Sequence, residues 1–488
     1  MTGTEWLRAV RNGPDGPLVD VAIRDGRVAA VAASYPVAGQ AYPPGATVLP
    51  GLHDGHVHLT QWAVAGQRVP LATAPSAAVA AELMAAAARE RDLAPGQVLT
   101  GFGFRDGLWA DAPDRELLQR ALPDVPAVLI SQDLHCCWLS PAALRLIGSD
   151  HETGLLREDQ AFAAMAALPG PPADRTDAWA MRALADAAAR GVTQILDFEF
   201  TDTIAVWQRR YARSGGLPVR VRAAIWRPRL DDVVDAGLRT GDPVPGTDGW
   251  VTVGPCKVLM DGSLNTRTAL CHDPYEGRTG PEAAGMLTSD PDELTETMRS
   301  AWLAGISFAV HAIGDRANTL ALDCFGRSGA PGRIEHAQLV APADLRRFAR
   351  LGVIAGVQPA HLVDDRDVAE HYWHGRTGSA FPFADLLAAG ATLEFGSDAP
   401  VARLDPWLAI ACAVARTDDD RPAWHGEQRV TFEQALRAST GGRVRLSVGD
   451  PADMVVVGQD PSQMHPSQLP DIEVLATMVG GRFSYRAG

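Results

Sequence analysis

The sequence predicts an α/β protein built on a (β/α)8 TIM-like barrel. A small β-sandwich formed by both termini and an α/β subdomain inserted after the first barrel strand complete the predicted fold. Short apolar runs alternate with alanine-rich helical stretches through the middle of the chain, which is typical of βα units. Strand patterns with turn signals occupy both ends. The first two barrel strands are separated by far more chain than one crossover helix requires.

The terminal strands are predicted from alternating apolar residues and glycine turns. Val19–Arg24 alternates, Asp25-Gly26 is a hairpin turn signal, and Arg27–Val31 resumes a strand. Near the other end, Met454–Val457 and Ala476–Val479 are strand-like. We therefore expect residues 1–49 and 445–488 to form one β-sandwich domain.

Eight strands are expected in the barrel, which we assign to residues 50–62 plus 176–444. They are predicted at 48–58, 192–199, 219–226, 253–260, 307–312, 333–337, 353–358 and 392–398. A doubly wound open sheet is the competing fold, but eight alternating strands match a closed barrel, in which catalytic groups cluster at strand C-terminal ends.

Residues 63–175 are predicted to form the inserted subdomain. A helical pattern covers Ala77–Arg91, and strand patterns cover Gln97–Gly103 and Ala127–Ser131. The breaker cluster Pro169–Pro172 marks the end of the insertion.

Composition excludes several classes of protein. The chain of 488 residues is 46% hydrophobic and 21% charged, which indicates a globular protein rather than a disordered one. Its 59 acidic and 44 basic residues give a net charge of −15, which argues against a nucleic-acid partner. No segment has the apolar length of a membrane span or the pattern of a secretory signal. We expect a cytoplasmic enzyme with a small-molecule substrate, and a homodimer as the commonest closed oligomer.

Ionisable residues recur at the ends of the predicted barrel strands. His56 and His58 are two apart on the first strand, so both imidazoles point to one face. Burying such groups would be costly unless something paired them, and a pair of metal ions would do so. The further positions at strand ends are Lys257, His311, His336 and Asp398.

Lys257 is the only lysine in the chain, so arginine supplies 43 of the 44 basic residues (44 minus 1). One residue is a small sample, and chance is the alternative explanation. A lone lysine nevertheless suggests chemistry that a guanidinium cannot perform. A neutral amine can take up carbon dioxide to form a carbamate, whose two oxygens can bridge two cations. Histidine, carboxylate and carbamate ligands favour zinc.

Several stretches, taken in order, resemble the amidohydrolase superfamily, and in particular its amidohydrolase-3 branch, which includes N-substituted formamide deformylases. The matching barrel stretches are Pro50–His58 (PGLHDGHVH), Lys257–Leu264 (KVLMDGSL), His311–Ala317 (HAIGDRA), Arg333–Gln338 (RIEHAQ), Val357–Pro359 (VQP) and Phe395–Val401 (FGSDAPV). The insertion resembles the same branch at Gly101–Phe104, Asp133–Ser140 and Thr153–Glu158. The resemblance implies six metal ligands, namely His56, His58, Lys257 as a carbamate, His311, His336 and Asp398.

The expected function is metal-dependent hydrolysis of an amide-like C–N bond in an N-substituted formamide, acyl amide, carbamate or cyclic imide. Metal-activated hydroxide would attack, and Asp398 would take the proton of the water and pass it to the leaving nitrogen. Candidate substrate-binding residues are His135, Asp261, Arg267, Gln358 and Arg376. A mononuclear deaminase of the same superfamily and a non-catalytic small-molecule-binding relative are the alternatives. The presence of Lys257 argues against the deaminase, because that enzyme does not need a carbamate.

Overall fold

The computed structural model describes residues 4–35, 42–91, 93 and 97–487. The strands are β1 (Glu5–Asn12), β2 (Leu18–Arg24), β3 (Arg27–Ala33), β4 (Thr47–Pro50), β5 (Leu52–Val57), β6 (Val69–Pro70), β7 (Leu99–Phe104), β8 (Ala127–Ser131), β9 (Cys136–Leu139), β10 (Leu155–Arg157), β11 (Val192–Asp197), β12 (Arg220–Trp226), β13 (Val251–Leu259), β14 (Phe308–Ala312), β15 (Gly332–His336), β16 (Ile354–Val357), β17 (Leu393–Phe395), β18 (Met454–Val457), β19 (Val474–Val479) and β20 (Arg482–Arg486).

The α-helices connect these strands. They are α1 (Leu59–Ala65), α2 (Ala77–Glu90), α3 (Arg115–Ala121), α4 (Pro141–Leu146), α5 (Asp159–Ala167), α6 (Ala173–Ala189), α7 (Thr203–Ser214), α8 (Leu230–Asp235), α9 (Pro291–Leu303), α10 (Asp315–Ser328), α11 (Leu345–Leu351), α12 (Pro359–Asp364), α13 (Arg366–Tyr372), α14 (Phe383–Ala388), α15 (Pro406–Ala415) and α16 (Phe432–Ala438). None of the helices in the described ranges is long and apolar enough to cross a membrane.

The predicted barrel is confirmed as an eight-stranded sheet with the order β5-β11-β12-β13-β14-β15-β16-β17. All neighbouring strands pair in parallel. Val57 forms a parallel bridge with Ala399, just after β17. The N–H of Asp398 donates to the carbonyl of His56 at 2.7 Å, so the sheet closes at the carboxyl ends of its first and last strands. Closure therefore brings together residues from opposite ends of the barrel sequence.

The run predicted as one strand over 48–58 is divided at Gly51. β4 pairs with β1 and β18, whereas β5 pairs with β11 of the barrel. A Cβ at Gly51 would lie 2.2 Å from Oγ1 of Thr193, so only glycine allows this close passage from one sheet to the other. Periodicity alone does not show such a division, because the apolar pattern continues across it.

The strands of both termini form one seven-stranded sheet, with the order β20-β19-β18-β4-β1-β2-β3. The hydrogen bonds connect these strands continuously, from the last strand of the chain to the hairpin near its start. The reason is β4, which pairs in parallel with β1 and antiparallel with β18 and so joins the two chain ends. Leu7, Val21, Met454 and Met478 belong to the buried cluster of this sheet.

The insertion contains a five-stranded sheet with the order β10-β9-β8-β7-β6 and a core of its own. The predicted boundaries at 62/63 and 175/176 fall inside α1 and α6. These helices share the barrel core, because Leu59, Ala63 and Leu184 are buried in one cluster. We still propose the division into residues 1–49 plus 445–488, 50–62 plus 176–444, and 63–175. The helices α1 and α6, which cross two of these boundaries, pack on the barrel.

Candidate active site

The six predicted ligands converge at the carboxyl end of the barrel. His56, Lys257, His311 and His336 lie on β5, β13, β14 and β15 respectively, and His58 is the residue immediately before α1. Asp398 follows β17 in the segment that closes the barrel. All six side chains are buried. Parallel strands place their C-terminal ends at one rim, which explains how residues spread over most of the chain meet here.

His56 is oriented by a carboxylate behind it. Its Nδ1 lies 2.7 Å from Oε2 of Glu335, so Nδ1–H donates to the carboxylate and Nε2 is free to accept. Nε2 lies 3.3 Å from Nζ of Lys257 and 3.4 Å from Oδ1 of Asp398. Burial and the neighbouring Lys257 hold the pKa of His56 well below its usual value. The imidazole is therefore neutral, as a metal ligand must be.

A group of three potential ligands surrounds one position. One ligand atom each from His56, His336 and Asp398 lies within 4.8 Å of the other two. Nε2 of His58 is 3.4 Å from the same Asp398 oxygen. Nε2 of His311 bonds to the carbonyl of Gly262 at 3.1 Å, which leaves Nδ1 as its remaining ligand atom.

Three imidazole nitrogens at this site are buried without a hydrogen-bond partner among the described residues: Nδ1 of His58, Nδ1 of His336 and Nε2 of His361. Unpaired buried polar atoms are costly and therefore rare in folded proteins. Burial and the neighbouring His311 lower the pKa of His336 well below its usual value, and burial and Lys257 lower the pKa of His311 to about 3. Neutral imidazoles beside a carboxylate fit a divalent metal.

Lys257 is an unusual lysine because it is only 2% exposed. Its Nζ lies 4.2 Å from the ring centroid of Phe198, beside Nε2 of His56. Burial lowers the pKa of Lys257 to about 8, although Glu335 and Asp398 act in the opposite direction. The neutral form of the Lys257 amine is therefore far more accessible than the neutral form of a surface lysine.

Asp398 is held as a carboxylate in a left-handed backbone conformation. Burial alone would raise its pKa, but His56 and His58 beside it hold the pKa of Asp398 below its usual range. Its φ is 55°, and φ of His336 is 74°. Non-glycine residues in this region are strained, and such strain is concentrated at functional sites.

A cavity of about 1050 Å³ opens over this cluster. The barrel contributes the clustered ligands to its lining, and the insertion contributes apolar residues that include Val98, Ile130 and Phe162. Phe200, stacked on Trp226 with ring centroids 3.7 Å apart, lines another wall. A large and mostly apolar pocket with a few convergent polar groups is typical of a small-molecule site.

Among the predicted substrate-binding residues, His135 lines the cavity. Its Nδ1 lies 2.7 Å from Oε2 of Glu158, and its ring centroid lies 6.0 Å from that of His311. Burial acts to lower the pKa of His135, but Glu158 outweighs it and raises that pKa to about 9. His135 therefore presents an imidazolium to the space above the ligand cluster.

The other four candidates are not among the described residues that line the cavity. Asp261 accepts backbone N–H groups of Leu270, Ile313 and Gly314, so its oxygens hold together the loops after two strands. Nε2 of Gln358 donates to the carbonyl of Gly356 at 3.3 Å. Their side chains support the site from behind.

The two arginine candidates, Arg267 and Arg376, point to aromatic rings. The guanidinium of Arg267 lies 5.1 Å from the ring centroid of Tyr372. Arg376 donates to the carbonyl of Asp273 at 3.1 Å and lies 5.9 Å from the ring of Tyr275. Substrate contact by these four residues stays a prediction from the sequence alone.

Sequence reasoning missed the role of Glu335. It lies one residue before His336, inside a stretch already singled out, but only the fold shows that its carboxylate reaches His56. Arg333 bonds to both Glu335 and Glu394 and so neutralises the buried carboxylates. A carboxylate next to a predicted ligand was the available signal.

We expect Glu335→Gln to weaken metal binding by about 10- to 100-fold, because the amide no longer holds the His56 imidazole as firmly in its ligand form. Competition with a chelating dye measures this affinity. Glu394→Gln is the matched control, since Glu394 bonds to the same Arg333 but is not a partner of His56. Equal metal affinities in the two variants would refute the orienting role of Glu335.

Comparison with known proteins places this site in a family. The Amidohydrolase family matches residues 44–485. Protein LONG AFTER FAR-RED 3 of Arabidopsis thaliana is 29% identical, with 96% of this chain and 89% of that protein covered. N-substituted formamide deformylase of Arthrobacter pascens is 26% identical, with 95% and 94% covered. The crystal structure of a metal-dependent hydrolase of Pyrococcus horikoshii is 25% identical, covers 95% of this chain and 99% of its own, and superposes with a TM-score of 0.76. The chain belongs to the Amidohydrolase family and is an amidohydrolase, an enzyme that hydrolyses carbon–nitrogen bonds other than peptide bonds.

Proposed function

We propose that this enzyme hydrolyses the C–N bond of a small amide, with N-substituted formamides and other acyl amides as the first substrates to test and carbamates and cyclic imides as the wider class. The observation that carries the proposal is the meeting of four buried imidazoles, one lysine and one carboxylate beneath a large cavity. The similarity to a formamide deformylase over nearly the whole of both chains supports the choice of formamides.

We assign His56, His58, Lys257, His311, His336 and Asp398 as the residues that would hold zinc, one or two ions per chain. The chemistry that such ions supply is activation of water near neutral pH and polarisation of a carbonyl group. Imidazole and carboxylate ligands suit zinc better than magnesium or calcium. Glu335 keeps His56 in the required tautomer, and Asp261 fixes the backbone that follows His311 by accepting the N–H groups of Ile313 and Gly314.

Lys257 is proposed to act as a carbamate. Its Nζ forms a new bond to the carbon of carbon dioxide and loses a proton, which gives an anion with two oxygen ligands. Its burial next to a ligand nitrogen, without an ion-pair partner among the described residues, makes the uncharged amine that this reaction needs more accessible than at a surface lysine. A mononuclear deaminase would not need this group, so Lys257 favours the hydrolase.

Asp398 is proposed as the proton-transfer residue. Its carboxylate can accept the proton of the attacking water and return it to the leaving nitrogen, which departs as an amine. The imidazolium of His135 faces the same space and can donate a hydrogen bond to a substrate oxygen. The apolar cavity walls exclude bulk water around the scissile bond.

We expect the purified protein to contain up to two zinc ions per chain and to hydrolyse members of an N-substituted formamide and acyl amide panel. Metal analysis and amine release measure these two properties. Removal of zinc by a chelator should abolish hydrolysis, and zinc with bicarbonate should restore it. Protein that holds no metal after growth in zinc-supplemented medium, and hydrolyses no amide, would contradict the proposal. A cytoplasmic location and a homodimeric state are further proposals from the sequence.

A further inference from the structure

Arg68 is a cavity-lining residue with no part in the chemistry described above. Its Nε and Nη1 are both buried without a hydrogen-bond partner, and no other arginine in the described part of the chain has two such nitrogens. A guanidinium is always charged and has five N–H donors. Leaving those donors unpaired out of water is costly, so Arg68 is a cation without a paired anion among the described residues.

None of the described residues around Arg68 supplies that anion. Glu199 is the one charged group of the described residues with an electrostatic effect on it. The Glu199 oxygens already accept the backbone N–H and the side-chain amide of Gln61, at 2.9 and 3.1 Å. Burial lowers the pKa of Arg68 to about 10 despite Glu199. The neighbouring carboxylate therefore does not compensate for the desolvation of Arg68.

The backbone holds Arg68 at a fixed place in the cavity wall. Its N–H donates to the carbonyl of Ala65 at 3.0 Å, and its guanidinium lies 5.7 Å from the ring centroid of Phe102. The helix α1 separates Arg68 from the predicted ligand His58, and seven helical residues span about 10 Å. Two exposed arginines, Arg91 and Arg175, line the same cavity and add positive potential.

We propose that Arg68 binds a carboxylate group of the substrate, on the far side of an apolar spacer from the scissile C–N bond. This inference rests on the proposed function for the reaction but concerns a separate part of the cavity. The planar guanidinium suits a carboxylate, and Phe162, Phe200 and Trp226 supply apolar surface for the spacer. The substrate class narrows to amides with a terminal carboxylate.

The kinetic test compares 4-(formamidomethyl)benzoate with its neutral methyl ester. We expect the wild-type enzyme to prefer the acid in kcat/KM by about 10- to 100-fold, as a charge-assisted hydrogen bond would give. Arg68→Met should bring the ratio of kcat/KM for the acid to that for the ester near one, mainly by raising KM for the acid. Arg68→Lys should keep part of the preference for the acid. Arg89→Met is the matched control, because Arg89 is an exposed arginine on α2 outside the cavity lining.

A binding test separates this proposal from the proposed function. Calorimetry on the metal-loaded protein measures benzoate, 3-phenylpropanoate, 4-phenylbutanoate and 6-phenylhexanoate against their primary amides. Tighter binding of at least one carboxylate, lost in Arg68→Met and kept in Arg89→Met, supports the proposal even if no amide is hydrolysed. The proposal is overturned if each of the four carboxylates binds wild type and Arg68→Met with equal affinity. If carboxylate binding is lost only when a chelator removes the metal ions, the carboxylate is assigned to the metal ions. Hydrolysis of amides without any Arg68-dependent preference for the acid would leave the proposed function standing and overturn this inference.

Discussion

Lys257→Arg is expected to lose hydrolytic activity by at least about 10³-fold, although it preserves the positive charge, because a guanidinium with a pKa above roughly 12 does not form a carbamate. Lys257 is 2% exposed and next to His56, so the variant also places a permanent charge among neutral imidazoles. Amine release from a responsive formamide measures the difference.

Lys257→Ala provides the matched comparison. It should also be inactive, but it leaves space in which acetate or formate at high concentration can replace the carbamate oxygens and restore part of the turnover. The arginine variant should resist this rescue, because its own side chain fills the space. Protein prepared with ¹³C-labelled bicarbonate should show a carbamate carbon signal in the wild type and none in either variant. Full activity of Lys257→Arg would end the carbamate hypothesis.

Asp398→Asn is expected to lower kcat by about 10²- to 10⁴-fold, because an amide cannot accept and return the proton. Asparagine has nearly the same shape, so the backbone bond from residue 398 to the carbonyl of His56 and the barrel closure should persist. Kinetics with a responsive amide measure kcat, metal analysis measures zinc content, and circular dichroism confirms folding.

Asp365→Asn is the matched control for this substitution. Asp365 is a half-buried carboxylate that lines the same cavity, and it accepts a hydrogen bond from Nε2 of Gln338 at 2.7 Å. Burial raises the pKa of Asp365 to about 6, so its charged form is already less favoured than that of Asp398. We expect Asp365→Asn to lower kcat by less than about tenfold. A similar fall in kcat in both variants would remove the special role of Asp398.

Much of the fold follows from local patterns. The eight barrel strands, the insertion and the strand-forming ends are visible because period-two alternation, alanine-rich helical stretches and turn residues are properties of neighbouring residues. The boundary at Gly51 and the single terminal sheet were not visible. They depend on which distant strand each segment pairs with, and β4 pairs with strands from both ends of the chain.

The sequence by itself determined which residues are candidates for the active site: the histidines at strand ends, Asp398 and the lone lysine are recognisable because few other roles would require them there. Only the tertiary structure decided how they are used. Closure of the barrel between Val57 and Ala399 places Asp398 beside His56, and the pairing of β15 with β14 and β16 brings Glu335 within reach of that histidine. The unpaired guanidinium of Arg68 is likewise a property of the folded cavity. The physical reason is that residue type and spacing report local chemistry, whereas burial, hydrogen-bond partners and pKa depend on surfaces contributed by residues far away in the chain.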